Sequence, residues 1–412
     1  MSIIIYSIVY ISSAIVFMLV CGLIFKYEIP SKVVFSLVAV GIILRIVLIP
    51  IQPVGSDDWY RYIWDGKVMD EGINPYRYAP ANPALAQLRS TILPSRINHA
   101  DMKTIYPPLA EILFYAAYKI DGESFLGLKL LLFIFDLATI LGIFLITNKL
   151  VLNLKNILIY ALCPLLLFQF FVDGHADGFG IALLVFSIFF YLDDKKVMSY
   201  LFIGLSASIK PISLILVPVL FFHEKSFREK IKVVIMSLAI LALFYLPFIF
   251  SGTPFKALAT FSENWTFNGI VFDLLNVFIK DNQRTRMICG ILFVIFYLRT
   301  IMSHHKTINT VESLLQKIYV SIFLLYIFSP VVHPWYLSWL AILLPLVPRW
   351  SGIVYVSLIS LTAFTVINYR STGVWKEYLF VLLLEYVPVL ALFVYELVRN
   401  DRSSEKTAVL QQ

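Results

Sequence analysis

Long hydrophobic runs recur along this chain of 412 residues and constrain its fold more than any other feature. Most of them span about 15 to 25 residues, the length at which an α-helix crosses the hydrocarbon core of a bilayer. Only 14% of the residues are charged, against about a quarter in a typical soluble domain. The alternating segments of about ten residues that a membrane β-barrel requires are missing from the sequence. The sequence therefore predicts an all-α polytopic membrane protein with roughly twelve membrane segments.

Membrane topology explains the net positive charge of the chain better than a nucleic-acid-binding surface does. The net charge is +7, and the basic residues cluster in short loops between hydrophobic runs. This distribution is typical of the cytoplasmic loops of membrane proteins. Lys26 and Lys32 flank the first such loop, so we expect it in the cytoplasm and the next loop outside. The pattern predicts an integral protein of the cytoplasmic (inner) membrane that contacts lipids and binds no nucleic acid.

One domain accounts for almost the whole chain in this interpretation. Residues 1–400 are predicted to form a single integral membrane domain, and residues 401–412 a polar cytoplasmic tail. Within the domain, residues 52–108 form a polar loop that is too long to be a simple connection, since loops of such length are uncommon without a function. We expect this first extracytoplasmic loop to contain the catalytic groups.

The first part of that loop has the periodicity of a helix. Asp57, Arg61 and Asp65 recur every four residues, so they share one helical face and can form ion pairs. Tryptophans and tyrosines occupy the other positions, as in an amphipathic helix at the membrane interface. Gly72 and the Asn74-Pro75 pair mark its end. The pattern predicts an interfacial helix that displays carboxylates.

Several charged residues fall within hydrophobic segments, and two of them, Lys210 and Arg45, mark their segments most clearly. Lys210, followed by a proline, interrupts the run Val197–Phe222, and lysine-rich stretches flank both ends of that run. If both flanks are cytoplasmic, the run is a hairpin of two short helices with Lys210 at its tip; a plain span would put one basic flank outside. The positive-inside bias favours the hairpin. Arg45 lies near the outer end of the second run, where its side chain either reaches the headgroups or faces the protein interior.

Placed on this topology, the polar residues of several segments collect near the outer leaflet. Cations beside carboxylates suit a reaction on a lipid phosphate, because cations hold the phosphate and a carboxylate accepts a proton from an attacking hydroxyl. Each signal is weak alone: an aspartate that begins a helix is more often a cap than a base. Their joint placement at one face favours a functional role over a structural one. The residues concerned are Asp57, Asp58, Asp173, His175, Asp177, Lys210, Glu263 and His333.

Metal binding is not expected. The string HAD around His175 has only one histidine within the spacing of helical ligands, and Cys21, Cys163 and Cys289 lie in three separate hydrophobic segments. We therefore predict no cofactor and no metal.

The order of motifs resembles the class C glycosyltransferases (GT-C), multipass enzymes that use polyprenyl-phosphate sugars. The resemblance is strongest to the mannosyltransferases that include the catalytic subunit adding the first mannose of GPI anchors, and to their bacterial relatives. It extends from about Ser56 to Pro348. The strings concerned are SDDWYRYIWDG, NPYRY, YPPL, CPLLLFQFFVDGHADG, LSASIKP and HPWYLSWLAILLPLVP, of which the first is the most specific.

The resemblance implies a GT-C-like fold and a hexosyltransferase. Its donor would be a polyprenyl-phosphate hexose, with mannose favoured, its acceptor a lipid or a glycan, and transfer would invert the anomeric configuration at the extracytoplasmic face. The catalytic acid would lie on the first outer loop. This sequence has Asp57-Asp58 where several relatives have Asp-x-Asp, so either carboxylate remains a candidate base, with Asp58 favoured.

The remaining candidates divide by role. The leaving phosphate needs stabilisation of its negative charge more than it needs a general acid. Candidates for holding the phosphate are Lys210, His333 and Arg61, and candidates for shaping the acceptor or supporting the loop are Asp65, His175, Asp177, Tyr106 and Glu263. Two alternatives stay open at this point. A transporter or flippase for a polyprenyl-linked sugar would also use a broken helix, and a ligase or polymerase for whole glycans would share the catalytic logic.

Overall fold

The computed structural model describes residues 1–303 and 310–410, with side chains up to residue 399. Helices dominate it, and no strand forms among the described residues. In chain order they are α1 Ile3–Lys26, α2 Ser31–Leu48, α3 Asp58–Asp70, α4 Pro108–Asp121, α5 Leu126–Lys149, α6 Ile157–Ala161, α7 Pro164–Leu166, α8 Asp177–Leu192, α9 Lys196–Ala207, α10 Leu216–His223, α11 Phe227–Ile249, α12 Lys256–Asn264, α13 Ile270–Ile279, α14 Asn282–Met302, α15 Val311–Phe328, α16 Ser338–Ala341, α17 Trp350–Leu358, α18 Ala363–Thr372 and α19 Leu379–Leu410.

These helices confirm an all-α polytopic membrane protein. Nine segments within the described residues are long and apolar enough to cross a bilayer, and four further apolar helices are shorter. The count of roughly twelve membrane segments stays a prediction, because it depends on how the shorter helices enter the bilayer. The backbone of the predicted tail 401–412 continues α19 as far as Leu410, and residues 411–412 lie outside the described part.

Ion pairs between separate loops define one end of the molecule. Lys155 Nζ lies 2.9 Å from Glu28 Oε1, which joins the loop after α5 to the loop after α1. Lys149 Nζ lies 2.7 Å from Asp193 Oδ1, which adds the turn after α8. The loops that the lysine pattern assigned to one side are therefore neighbours, as predicted. The long loop 52–108 follows α2, whose 18 residues rise about 27 Å, so it begins at the opposite end of that helix from Glu28.

The segment interrupted by Lys210 folds back on itself. At its two ends, Lys196 Nζ lies 2.8 Å from Glu224 Oε2. Near the break, the Ser213 hydroxyl approaches the Ile203 carbonyl at 3.4 Å, across the two arms. The first arm, α9, has 12 residues, or about 18 Å at 1.5 Å per residue. The predicted hairpin is confirmed, with Lys210 at its tip.

The long loop has a hydrophobic core of its own. The predicted helix is confirmed as α3, and Gly72 ends it with a φ of 70°, in the left-handed region that glycine adopts without strain. Trp59 and Trp64 are buried within the protein and so do not contact lipid headgroups, while the position of this helix at the membrane interface stays a prediction. They pack with Phe114 of α4 and Leu128 of α5 in a cluster separate from the main core. Burial of these large rings holds the loop rigidly above the membrane helices.

Arg45 faces the protein interior rather than the headgroups. Its side chain is fully buried, and its Nε lies 2.5 Å from Asp136 Oδ2 of α5. The Tyr160 hydroxyl donates to the other carboxylate oxygen at 2.7 Å, and Arg45 Nη1 donates to the Ala161 carbonyl at 2.6 Å. A buried ion pair of this kind is stable only when hydrogen bonds satisfy both partners. The pair therefore fixes α2 against α5 and α6.

Candidate functional site

A cavity of about 1150 Å³ opens at the end of the molecule that carries the long loop. Its walls combine segments that are far apart in sequence, including the start of α3, the tip of the hairpin and the part of α18 from Ala363 to Arg370. Most predicted site residues line it. Those that do are Asp57, Asp58, Arg61, Tyr106, Asp173, Asp177, Lys210 and His333, and those that do not are Asp65, His175 and Glu263.

The two neighbouring carboxylates have different environments. Asp57 accepts a hydrogen bond from Arg370 Nη2 and forms an ion pair with that guanidinium. Asp58, the first residue of α3, is 30% exposed, and its Oδ2 lies 3.6 Å from His175 Nδ1. Burial and, next, the charge of Asp57 raise the pKa of Asp58 to about 7, and the charge of Lys210 opposes the rise. Asp58 is thus the carboxylate able to accept a proton near neutral pH.

Asp173 anchors the chain just before these carboxylates. Its Oδ1 accepts the Val54 and Gly55 backbone N–H groups at 3.2 and 2.7 Å, and its Oδ2 accepts the Tyr6 hydroxyl at 2.5 Å. A Cβ on Gly55 would lie 2.6 Å from both Asp173 Oδ2 and the Tyr6 oxygen, so a larger residue would displace this hydrogen-bonded pair. Burial raises the pKa of Asp173 to about 6, whereas these hydrogen bonds oppose the rise. The anchor sets where α3 begins.

Four stacked rings lead from the rim of the cavity to Asp58. Phe267 stacks on His333 with ring centroids 4.7 Å apart, and His333 stacks on Trp335 at 4.4 Å. Trp335 in turn stacks on His175 at 3.7 Å. Within the described residues neither ring nitrogen of His175 has a hydrogen-bond partner. The column holds that ring against Asp58.

Both histidines of this column are neutral at physiological pH. Burial, with a smaller contribution from the Lys210 charge, lowers the pKa of His333 to about 3. Burial also holds the pKa of His175 well below its usual value, and the neighbouring His333 and Lys210 add to the effect. A neutral histidine donates or accepts a hydrogen bond but carries no charge. His333 is therefore able to form a hydrogen bond, but not an ion pair, with a group in the cavity.

Lys210 was predicted to hold the phosphate, and its contacts at the cavity are well defined. Its Nζ lies 2.7 Å from Asp177 Oδ1 and 3.5 Å from the centre of the Tyr336 ring. Asp177 also accepts the Trp339 Nε1–H at 2.7 Å, which orients the carboxylate. The lysine at the hairpin tip is therefore held at the cavity wall, and about a quarter of its side chain (25%) is exposed.

Arg61 and Asp65 form a pair beside the cavity. Arg61 Nε lies 2.7 Å from Asp65 Oδ2, and Arg61 Nη1 donates to the Met102 carbonyl at 2.9 Å. Asp65 is buried and does not reach the cavity. Tyr106 lines the cavity, with its ring edge-on to Tyr62 at 5.1 Å. Arg61 therefore lines the cavity while paired with Asp65, and its role in holding the phosphate and that of Asp65 in supporting the loop stay predictions.

Glu263 is not brought to the site. It lies on α12 with an exposed side chain, while its neighbours Ser262 and Asn264 line the cavity. The prediction rested on its polar loop, and the helical turn directs this residue away from the cavity.

Several site residues were missed in the sequence. Trp335 and Tyr336 belong to the HPWY string that pointed to His333 alone, so they could have been found there. Tyr6 lies in an apolar segment, and Arg370 lies in the polar stretch NYRSTGVWKEY, in which no residue was predicted to belong to the site. Among the described residues no group of three or more His, Cys, Asp or Glu side chains could hold a metal ion. That the reaction needs no metal stays a prediction.

Two family models match the chain. The model for the N-terminal domain of alpha-(1->6)-mannopyranosyltransferases matches residues 4–224, which is more than half of the chain. The model for the MptB C-terminal domain matches residues 266–399. The first range includes Asp57, Asp58 and Lys210, and the second includes His333 and Arg370. No curated protein matches the chain.

Proposed function

The chain belongs to the alpha-(1->6)-mannopyranosyltransferase family and is a glycosyltransferase; on this premise we propose that it moves mannose from a polyprenyl-phosphate donor to a hydroxyl group of a lipid or glycan acceptor. The family description supports an α-(1→6) linkage. Transfer inverts the anomeric configuration, so a β-linked donor gives an α-linked product. The resemblance to class C mannosyltransferases seen in the sequence is confirmed by this family.

The observation that supports the mechanism best is the contrast between Asp58 and Asp57. Asp58 faces the cavity with a pKa of about 7, whereas Asp57 is bonded to Arg370. A general base works best when its pKa is close to the working pH. Asp58 is therefore the base, and it accepts the proton of the acceptor hydroxyl.

The step balances in atoms and charge. The acceptor oxygen forms a bond to the anomeric carbon as the bond from that carbon to the phosphate oxygen breaks. The phosphate changes from a singly charged diester to a monoester, whose second pKa is about 6, so it gains nearly a full negative charge. Asp58 loses its negative charge at the same time by taking the proton. No net charge is created in the cavity.

Lys210 supplies charge stabilisation for the leaving phosphate. Fixed cations aimed at developing charge are among the largest contributors to catalysis in a site that excludes water. Lys210 lies at the wall, Asp177 orients it, and neutral His333 adds a hydrogen bond nearby. The cavity of about 1150 Å³ exceeds the roughly 300–1,000 Å³ of ordinary ligand pockets, as a site for two substrates requires.

The site faces the extracytoplasmic side of the cytoplasmic membrane in this proposal. The end opposite the cavity holds Lys149, Lys155 and Lys196, and lysine-rich loops favour the cytoplasm.

A transfer assay tests the function. Purified protein in detergent receives radiolabelled polyprenyl-phosphate mannose and a lipid extract as acceptor. We expect label in a new product that an α-mannosidase releases, and no label when a nucleotide-linked mannose replaces the donor. Transfer from the nucleotide sugar alone would refute the donor assignment. Movement of unchanged donor across proteoliposomes, without transfer, would favour the transporter instead.

A further inference from the structure

Arg370 differs from Arg286, another arginine that lines the cavity, in how its guanidinium is bonded. Arg286 donates to the carbonyls of Ser262 and Trp265 and to the Asn282 side chain, so its fork is fully engaged. Arg370 uses only Nη2, which donates to Asp57 Oδ1 and lies 3.4 Å from the Val54 carbonyl. Within the described residues its Nε and Nη1 have no hydrogen-bond partner. The side chain is 36% exposed where it lines the cavity.

The free part of this guanidinium matches the geometry of a phosphate. An arginine binds phosphate through two parallel N–H donors, and this arrangement adds geometric specificity to the charge. Asp57 supplies a counter-ion that holds the guanidinium in position without occupying all of its donors. An arginine held in this way is ready to bind an anion.

The helix that carries Arg370 also presents an apolar strip to the same cavity. Ala363, Val366 and Arg370 lie at positions i, i+3 and i+7 of α18, so they share one face, and all three line the cavity. The distance along the axis from the first to the last is about 10 Å at 1.5 Å per residue. The strip lies on the final part of the segment Trp350–Thr372, which is long and apolar enough to cross a bilayer. An apolar strip that ends in a cation fits an amphipathic lipid with an anionic head.

We propose that Arg370 binds the phosphate of the lipid-linked sugar, that the isoprenoid chain lies along the Ala363–Val366 face, and that Asp57 serves as the counter-ion of Arg370. This inference rests on the proposed function, whose donor it positions. Asp57 and Asp58 are consecutive, so a phosphate at Arg370 lies beside the base. The reaction increases the negative charge of that phosphate, and the arginine stabilises the change.

Binding measurements separate this role from a structural one. Arg370→Gln, Arg370→Lys and wild type are compared for their affinity toward polyprenyl phosphate and toward uncharged polyprenol, in detergent or nanodiscs. The matched control is Lys376→Gln, which removes the same charge from an exposed residue of the following segment, outside the cavity lining. Melting temperatures show that each variant is folded.

We expect Arg370→Gln to weaken polyprenyl phosphate binding at least tenfold and to leave polyprenol binding unchanged. Arg370→Lys should restore part of the affinity, because an ammonium keeps the charge without the fork. Lys376→Gln should match wild type. Wild-type affinity of Arg370→Gln for polyprenyl phosphate, or an equal loss for both lipids, would overturn the inference. A wild-type protein that binds polyprenyl phosphate through Arg370 but transfers no mannose would instead refute the proposed function.

Discussion

Replacement of Asp57 by asparagine should move the pH dependence of transfer to lower pH. The base Asp58 must be ionised to act, so activity is present above its pKa and is lost as the pH falls through it. That pKa is about 7 in the wild type, and the negative charge of Asp57 is the largest cause of the rise after burial. Asp57→Asn removes this charge and leaves the positive charge of Arg370 uncompensated. Both effects favour ionised Asp58 and lower its pKa.

The size of the shift follows from the interaction of neighbouring charges. Two carboxylates in a partly exposed site interact by on the order of 1 kcal/mol, which corresponds to nearly one pKa unit. A fall of the Asp58 pKa from about 7 to about 6 raises its ionised fraction at about pH 6 from one-tenth to one-half. We therefore expect about a fivefold higher rate at that pH, when each enzyme is expressed relative to its own alkaline plateau.

The assay is initial-rate mannose transfer at saturating donor between about pH 5 and pH 9. Asp70→Asn is the matched control, because Asp70 lies on the same helix and pairs with Lys119 at 2.9 Å, away from the cavity. It should leave the acid limb unchanged. An acid limb of Asp57→Asn that coincides with the wild type, or that moves to higher pH, would refute the electrostatic reasoning.

Three further substitutions test other parts of the structure. Gly55→Ala should lower kcat/KM and cost about 1–3 kcal/mol of stability, because its Cβ would collide with the anchor of the loop; wild-type kinetics would contradict this. Asp136→Ala should lower the free energy of unfolding by about 3–5 kcal/mol, since it leaves Arg45 buried without a counter-ion, and the double change Asp136→Leu with Arg45→Leu should recover much of the loss in detergent melts. His175→Phe keeps the ring stack but removes an N–H beside Asp58, so the acid limb of the transfer rate should move to higher pH. His175→Gln should restore the wild-type limb. Identical acid limbs in all three enzymes would exclude a hydrogen bond from His175 to Asp58 in the working enzyme.

The elements of the fold that depend on local patterns could be predicted from the sequence. Hydrophobic runs predicted the long helices because length and composition alone satisfy the bilayer. The four-residue spacing of Asp57, Arg61 and Asp65 predicted α3, and lysines at both ends of the Lys210 segment predicted the hairpin. These signals come from the residue pattern within one segment or from the charge of the residues at its two ends.

The contacts that assemble the site could not be predicted in this way. Arg370 meets Asp57 across 313 residues, and Tyr6 meets Asp173 across 167. Neither pair leaves a periodic pattern, because the packing of whole helices brings the partners together. Glu263 gives the opposite case. Its polar loop predicted a site residue, but the helix α12 places its side chain outside the cavity lining. The partner of Arg45 was likewise decided by packing, which placed Asp136 beside it.

The most direct test of the account compares wild type, Asp58→Asn and Asp57→Asn in mannose transfer from radiolabelled polyprenyl-phosphate mannose. If Asp58 is the base, Asp58→Asn should reduce kcat by roughly 10²–10⁴-fold at the alkaline plateau while still binding polyprenyl phosphate. Asp57→Asn should keep far more turnover than Asp58→Asn and lose mainly donor affinity. An Asp58→Asn enzyme that turns over at the wild-type rate, or a greater loss of kcat in Asp57→Asn, would contradict the account.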